Sequence, residues 1–263
     1  MSAQSHFIAG SLAFVAAFGA QAAHASTIAA LQDGKTLALI DTDQRKVVGT
    51  TPIADGAKLV GIDVRPSDNK LYGVTAEGDI VIIDAKTGKW TAKSKLSEKL
   101  PANAMIAVDF NPVADRMRII SSTGMSLRVN VEDGKATVDG SLKYAESDAN
   151  KGKQPQVTAV AYSNSVAGTK ETALYDIDAA NGMFLKQAPP NDGIVTSLGA
   201  LGVTISGPIA FDIWTDGKGG NVGYLLANGV MHTVDISSGA AKAVGPIAGL
   251  SGNVTDLAVL PDM

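Results

Sequence analysis

Five short apolar runs recur along this chain at near-constant intervals, each ending in a turn signal. They are LVGIDVRP from Leu59, MIAVDFNP from Met105, VTAVAYSN from Val157, PIAFDIWT from Pro208 and VTDLAVLP from Val254. Aligned on one column they read Asp63, Asp109, Ala161, Asp212 and Ala258, at spacings of 46, 52, 51 and 46 residues. A second column lies downstream, where an apolar run ends in Asp or Asn with Gly four residues on: Asp84 with Gly88, Asn130 with Gly134, Asp178 with Gly182, and Asp235 with Gly239. A fifth copy, Asp41, has Arg45 where the others carry Gly. Self-similarity at about 40 to 50 residues with several short strands per unit predicts a β-propeller.

The strands are read from Val/Ile/Leu-rich segments such as DIVIID and SLRVNV, bounded by Gly, Asp and Asn. Helical periodicity is nearly absent; only residues 93–105 could hold a helical turn, and Pro101 limits it. The chain opens with outer-strand material at 27–50 and closes with an inner-strand segment, Val254 to Leu260, that has no outer partners. Joining the two completes a fifth blade and removes the open edges of the ring. The expected fold is therefore all-β: a single five-bladed propeller over residues 26–263, closed by pairing of the C-terminal strand with the N-terminal strands. A six-bladed ring with one degenerate blade and a pair of β-sandwiches are the alternatives, since 193–207 is long enough to hold extra strands.

Residues 1–25 read as a secretory signal peptide: an apolar run from Phe7 to Ala20, then Ala23-His24-Ala25 as a cleavage site ahead of Ser26. No Lys or Arg precedes the run. The expected location is periplasmic or secreted, as a monomer with no membrane span after cleavage. The net charge of −4 argues against nucleic acid, whose phosphates require clustered Lys and Arg. The absence of cysteine removes disulfides, thiolate metal sites and a Cys nucleophile. Beyond residue 25 the sole histidine is His232, inside the strand-like GVMHTVDISSG, so a His metal centre or Ser-His-Asp triad would hang on one packed residue. No phosphate-binding glycine loop occurs.

Residues that recur at the same place in several units usually serve the scaffold, so Asp63, Asp109 and Asp212 are expected to accept backbone N–H groups at inner-strand ends. The alternative is a ring of carboxylates at one mouth of the channel. Residues that break the repeat are better site candidates. Arg116, Arg118 and Arg128 stand in one unit alone, and an arginine on a packed blade face requires an anion. Asp109, Asp115 or Asp139 could supply it internally, or a bound anion could. An even turn around Ser122-Thr123-Gly124 places Arg118 and Arg128 on opposite faces; an odd one places them together. The insertion 138–156 contains Asp148, which opens a poor calcium-loop match and reads better as an ordinary polar loop. The segment QAPPNDG, 187–193, reads as a turn, and Trp214 sits just past an inner strand, able to stack on a ligand or cap the core. Tyr144, Tyr162 and Tyr175 carry the same ambiguity.

The stretch from DFNPVADRMRIISSTGMSLRVNVEDG through TAVAYSNSVAG, TALYDIDAANG and APPNDG resembles an exported bacterial family described only as a domain of unknown function and expected to form a propeller. The resemblance spans most of the chain and is tightest from Asp109 to Gly193. It implies no activity, but it draws attention to Asn111, Pro112, Asp115, Asn130, Tyr162, Asn164, Tyr175, Asp176, Asn191 and Asp192 beside the arginines. The resulting candidate ligand-binding set is Asp109, Asn111, Arg116, Arg118, Arg128, Asn164, Asp192 and Trp214, with no metal ligand and no catalytic group assigned. The leading reading is an exported, non-enzymatic propeller binding a small anionic ligand, a glycan or a partner protein. The second is a lactonase-like hydrolase in which Asp and Asn hold one Ca²⁺ that polarises a carbonyl, which suits a site poor in His and Cys; no cofactor is expected on the leading reading. A quinoprotein-like dehydrogenase ranks last, lacking that class's paired cysteines and Trp repeats.

Overall fold

The computed structural model describes residues 26–261, so the signal-peptide reading of 1–25 lies outside the described residues. Five antiparallel sheets make five blades. Blade 1 pairs β1 (Thr27–Gln32), β2 (Thr36–Asp41) and β3 (Lys46–Pro52) with the last strand, β21 (Val254–Leu260), as its innermost member. Blade 2 is β4 (Leu59–Arg65), β5 (Lys70–Thr75), β6 (Asp79–Ile83) and β7 (Trp90–Lys95). Blade 3 is β8 (Ile106–Asn111), β9 (Arg116–Ser121), β10 (Ser126–Val129) and β11 (Ala136–Val138). Blade 4 is β13 (Val157–Tyr162), β14 (Leu174–Asp178), β15 (Met183–Gln187) and β16 (Ile194–Ala200), with the short β12 (Lys143–Tyr144) added parallel to β16. Blade 5 is β17 (Ile209–Thr215), β18 (Asn221–Ala227), β19 (Val230–Val234) and β20 (Ala241–Pro246).

The inner strands pack around the axis in the order β21, β4, β8, β13, β17 and back to β21. The ring closes as the repeat predicts: β21 runs antiparallel to β1, with Ala258 opposite Ala29 and Leu257 opposite Ala30. Because each blade is covered on both faces, its strands are apolar on both, as in Val157–Tyr162, where every residue is buried. The core is thus divided into layers between blades, such as Tyr72, Phe110 and Ile119 between blades 2 and 3, and Phe184, Phe211 and Leu225 between blades 4 and 5.

The Asp/Asn-to-Gly column has a packing cause. Gly88 and Gly134 take positive φ, and a Cβ on either would lie 2.0 Å from the Pro52 carbonyl or 1.8 Å from the Lys95 carbonyl of the preceding blade. In blade 1 Arg45 adopts φ 51° itself and donates to the Val244 carbonyl at 2.9 Å. One member of the column is displaced: Asp178–Gly182 joins the second and third strands of blade 4, whereas the other copies join third and fourth. The third-to-fourth connection there is the 188–193 turn, which holds a 3-10 turn at Pro190–Asp192. Residues 93–105 form no helix; they finish β7 and cross to blade 3 as irregular chain. The segment 193–207 supplies β16 rather than a sixth blade. Asp148 is a latch, accepting the Ser197 N–H at 2.6 Å and the Asn150 N–H at 2.8 Å. No helix among the described residues is long and apolar enough to cross a membrane.

Candidate functional site

Inner strands pack side by side without sharing a ladder, so their junctions need other donors and acceptors. Carboxylates fill that role. Asp63 on β4 accepts the Val64 N–H at 2.6 Å through one oxygen and the Phe110 N–H of β8 at 2.7 Å through the other. Asp109 on β8 reaches the Tyr162 N–H of β13 at 3.1 Å. Asp212 on β17 accepts Ile213 at 2.6 Å and Val259 of β21 at 2.7 Å. Asp256 on β21 accepts Leu257 at 3.0 Å and Ile62 of β4 at 2.9 Å. The scaffold role expected of the column holds, and Asp256, two residues ahead of Ala258, extends it. The β13–β17 junction carries Ala161 in place of Asp; past the end of β13, the Asn164 N–H donates to Asn221 Oδ1 at the start of β18 and Asn221 Nδ2 donates back to Asn164 Oδ1, at 2.8 Å each.

These clasps concentrate charge. Asp63, Asp109 and Asp212 each present a carboxylate oxygen within 4.8 Å of the others, and all three are buried. Burial, then the neighbouring Asp212 charge, raises Asp63 well above the usual carboxylate range. Burial followed by Asp63 and Asp212 does the same to Asp109, and burial brings Asp212 up to about 6. At the end of the channel where the inner strands finish, a cavity of about 370 Å³ opens above this ring. Asp63 and Asp212 form part of its lining, with Val64, Ile213 and Val259 beside them and Trp214, Asn69, Ser165 and Thr215 around the wall.

The arginines sit elsewhere. Ser126 pairs with Ile120 and Arg128 with Arg118, so the turn at 122–124 is odd and both guanidiniums share the blade 3 face toward blade 4. They converge on Asp139: Arg118 Nη1 at 2.6 Å, Arg128 Nε at 2.7 Å and Nη2 at 3.0 Å. Arg118, 1% exposed, also donates to Ser126 Oγ at 3.0 Å, Asn191 Oδ1 at 2.9 Å and the Tyr162 hydroxyl at 3.3 Å. Arg116 donates to the Asp115 carbonyl at 2.9 Å and shares a shallow surface depression of about 180 Å³ with Arg128 and Lys135. Asn111 caps its own turn through Val113 and Ala114 at 2.9 and 2.8 Å. Asp192 is exposed on the 3-10 turn. Of the eight candidate ligand-binding residues named from sequence, only Asp109 and Trp214, the latter within β17 rather than just past an inner strand, belong to the channel and its mouth, while Arg118 and Arg128 form an ion-pair cluster between blades.

A family model for a domain of unknown function, DUF4394, matches residues 36–258. The chain belongs to that family. No curated protein matches it. Among solved structures, a Bacteroides thetaiotaomicron protein of unknown function superposes with TM-score 0.54 at 16% identity, covering 89% of this chain and 64% of its own. A Bacteroides caccae protein of unknown function gives TM-score 0.45 at 13% identity, covering 86% and 74%. Dihydro-heme d1 dehydrogenase NirN gives 0.40 at 14%, covering 86% and 44%. The first of these likenesses, at 16% identity, speaks to the fold alone.

Two groups of this DUF4394 chain escaped the sequence reading, Asp256 and Arg65, and a third, Asp176, was named only through the family resemblance, with no role attached. Arg65 bolts blade 2 to blade 3, binding Asp115 through two bonds of 2.8 and 2.6 Å and Glu132 at 2.7 Å. Asp176 is fully buried on β14, opposite Val160 and Leu185, and neither carboxyl oxygen has a hydrogen-bond partner. Burial raises it from 3.8 to about 8, with Arg118 opposing. Below the unfolded value both states hold the proton and nothing is lost. As pH climbs toward 8 the unfolded chain ionises while the buried acid stays neutral, so stability falls by on the order of 5 kcal/mol. Replacing Asp176 by Asn abolishes that term but buries an unpaired amide, costing about 1–3 kcal/mol. The expected result is a melting midpoint higher by roughly 5–10 °C at pH 8 and little changed or lower at pH 4, read by calorimetry at both pH values.

Proposed function

We propose that this protein is a ligand-binding propeller, exported on the signal-peptide pattern of residues 1–25, whose site is the channel mouth and whose ligand carries positive charge. One observation supports this above the rest: the mouth cavity is floored by buried carboxylates, and no Lys, Arg or His is among its described lining residues. A concave site of one sign with low-dielectric walls focuses its field on the opening and concentrates counter-charges there. The arginines that favoured an anion are already engaged by Asp139 and by carbonyl oxygens, which leaves the negative mouth as the stronger electrostatic feature.

The ring is an oxygen-only donor set, which suits a hard cation, and its spacing accommodates the ~2.3–2.6 Å Ca²⁺–oxygen distance. Calcium-assisted hydrolysis is the second reading; it needs such an ion with coordination positions open toward the cavity. Both readings are tested by thermal shift against CaCl₂, MgCl₂ and organic ammonium salts, with sodium sulfate and citrate as controls at matched ionic strength. At least one cation should raise the midpoint by about 5–10 °C at a hundredfold excess over its Kd. The effect should weaken as pH falls through about 6, where Asp212 takes up its proton. Stabilisation by the anions alone would overturn the proposal.

A further inference from the structure

We infer that the natural ligand of the mouth is a small organic ammonium compound, a cationic nitrogen carried on an apolar stem, rather than a bare metal ion. This rests on the cationic-ligand reading and narrows it. Two independent features point the same way. The first is how the ring carboxylates are held. Asp63 and Asp212 each place both oxygens against backbone N–H groups at 2.6 and 2.7 Å, which fixes their rotamers as parts of the inner-strand junctions. They cannot swing to wrap an ion, and three oxygens fall short of the roughly six to eight that Ca²⁺ takes. A fixed ring of carboxyl groups, with Asp212 ionised above about pH 6, meets an ammonium group well, because that group accepts attraction from a distance and demands no set coordination number.

The second feature is the wall. Above the carboxylates the cavity is bounded mainly by apolar side chains, among them Val64, Val166, Ile213, Leu260 and the indole of Trp214. A hydrated metal gains nothing from such a surface, whereas a methylene stem or N-methyl groups bury apolar area against it at about 25 cal/mol per Å². An indole is also the best aromatic partner for a cation within about 6 Å of its ring. The volume of about 370 Å³ sits at the small end of ligand pockets, which favours a compound of metabolite size over a peptide or glycan.

Trp214 provides the readout. The chain has two tryptophans, and Trp90 lies on the outer strand of blade 2, its indole bonded to the Ala54 carbonyl. A Trp90→Phe background therefore isolates the Trp214 emission. The probes are n-butylammonium chloride and choline chloride, with n-butanol as the uncharged counterpart of the first and CaCl₂ as the metal. Saturable changes in Trp214 emission are expected with at least one ammonium salt, at least tenfold tighter than with n-butanol, and without competition from CaCl₂. Asp212→Asn should weaken binding tenfold or more. Ala167 lines the cavity from an exposed loop position, so Ala167→Lys should abolish binding and Ala167→Glu strengthen it, which keeps the test decisive even where Asp212→Asn fails to fold. Binding of CaCl₂ with no response to either ammonium salt would sink this inference and leave the cationic reading standing. Equal binding of n-butanol, or silence from every cation, would sink both.

Discussion

A chain truncated after residue 252 is expected to lose cooperative folding altogether, giving aggregated material or a broad, non-two-state melt. The deletion removes β21, which supplies the innermost strand of blade 1 and pairs with β1 from Thr27 to Gln32. Leu257, Ala258 and Leu260 are buried, so two interblade layers lose part of their filling. The Asp256 carboxylate leaves the Ile62 N–H, and the Val259 N–H leaves Asp212, which opens the ring junctions on both sides of blade 1. The exposed inner edge of β1 is then an apolar strand, Ile28 to Leu31, with unpaired backbone groups, a template for association between chains. Sedimentation together with circular dichroism melting checks this. A monomer with one sharp transition would show that closure by the last strand is dispensable.

The ring was legible because it is periodic. Each inner strand obeys the same packing demands, so Asp63, Asp109 and Asp212 align, and the displaced first and last strands announce how the circle closes. The mouth was less legible, because which residues share a layer across the channel depends on strand heights that no single unit specifies. Asp256 shows this: it stands two residues before its column and carries out the same clasp one layer away. Asp176 was named through the family resemblance alone, and its burial was hidden for another reason. In Tyr175-Asp176-Ile177-Asp178 the alternation suggests a strand with one wet face, but a blade inside a propeller is covered on both. Arg65 was masked by Pro66 and read as a strand end, although its partners Asp115 and Glu132 come from the next blade. The Asp178–Gly182 turn carries the same local signal as its counterparts, and only the strand count of blade 4 reveals its displacement. For Arg118 and Arg128 the sequence posed the right question and lacked the turn geometry to answer it.

That answer makes Arg118→Ala the second large effect. The guanidinium is among the largest fully buried side chains, and it joins Asp139 and Ser126 of blade 3 and its flank to Tyr162 and Asn191 of blade 4. Its removal leaves an Asp139 side chain only 5% exposed with Arg128 as its remaining ion-pair partner, and strips a donor from each of three neutral acceptors. Breaking a buried pair from one side costs about 3–5 kcal/mol, well beyond what a surface pair is worth. The midpoint should fall by roughly 10 °C or more. Arg118→Lys retains the charge but cannot present a forked set of donors to acceptors on two blades, so it should fall between Ala and wild type. Cation binding at the mouth should survive in whatever fraction remains folded, since the cluster does not line that cavity. An unchanged midpoint accompanied by lost binding would reverse the assignment, making Arg118 part of the site and the channel mouth a bystander.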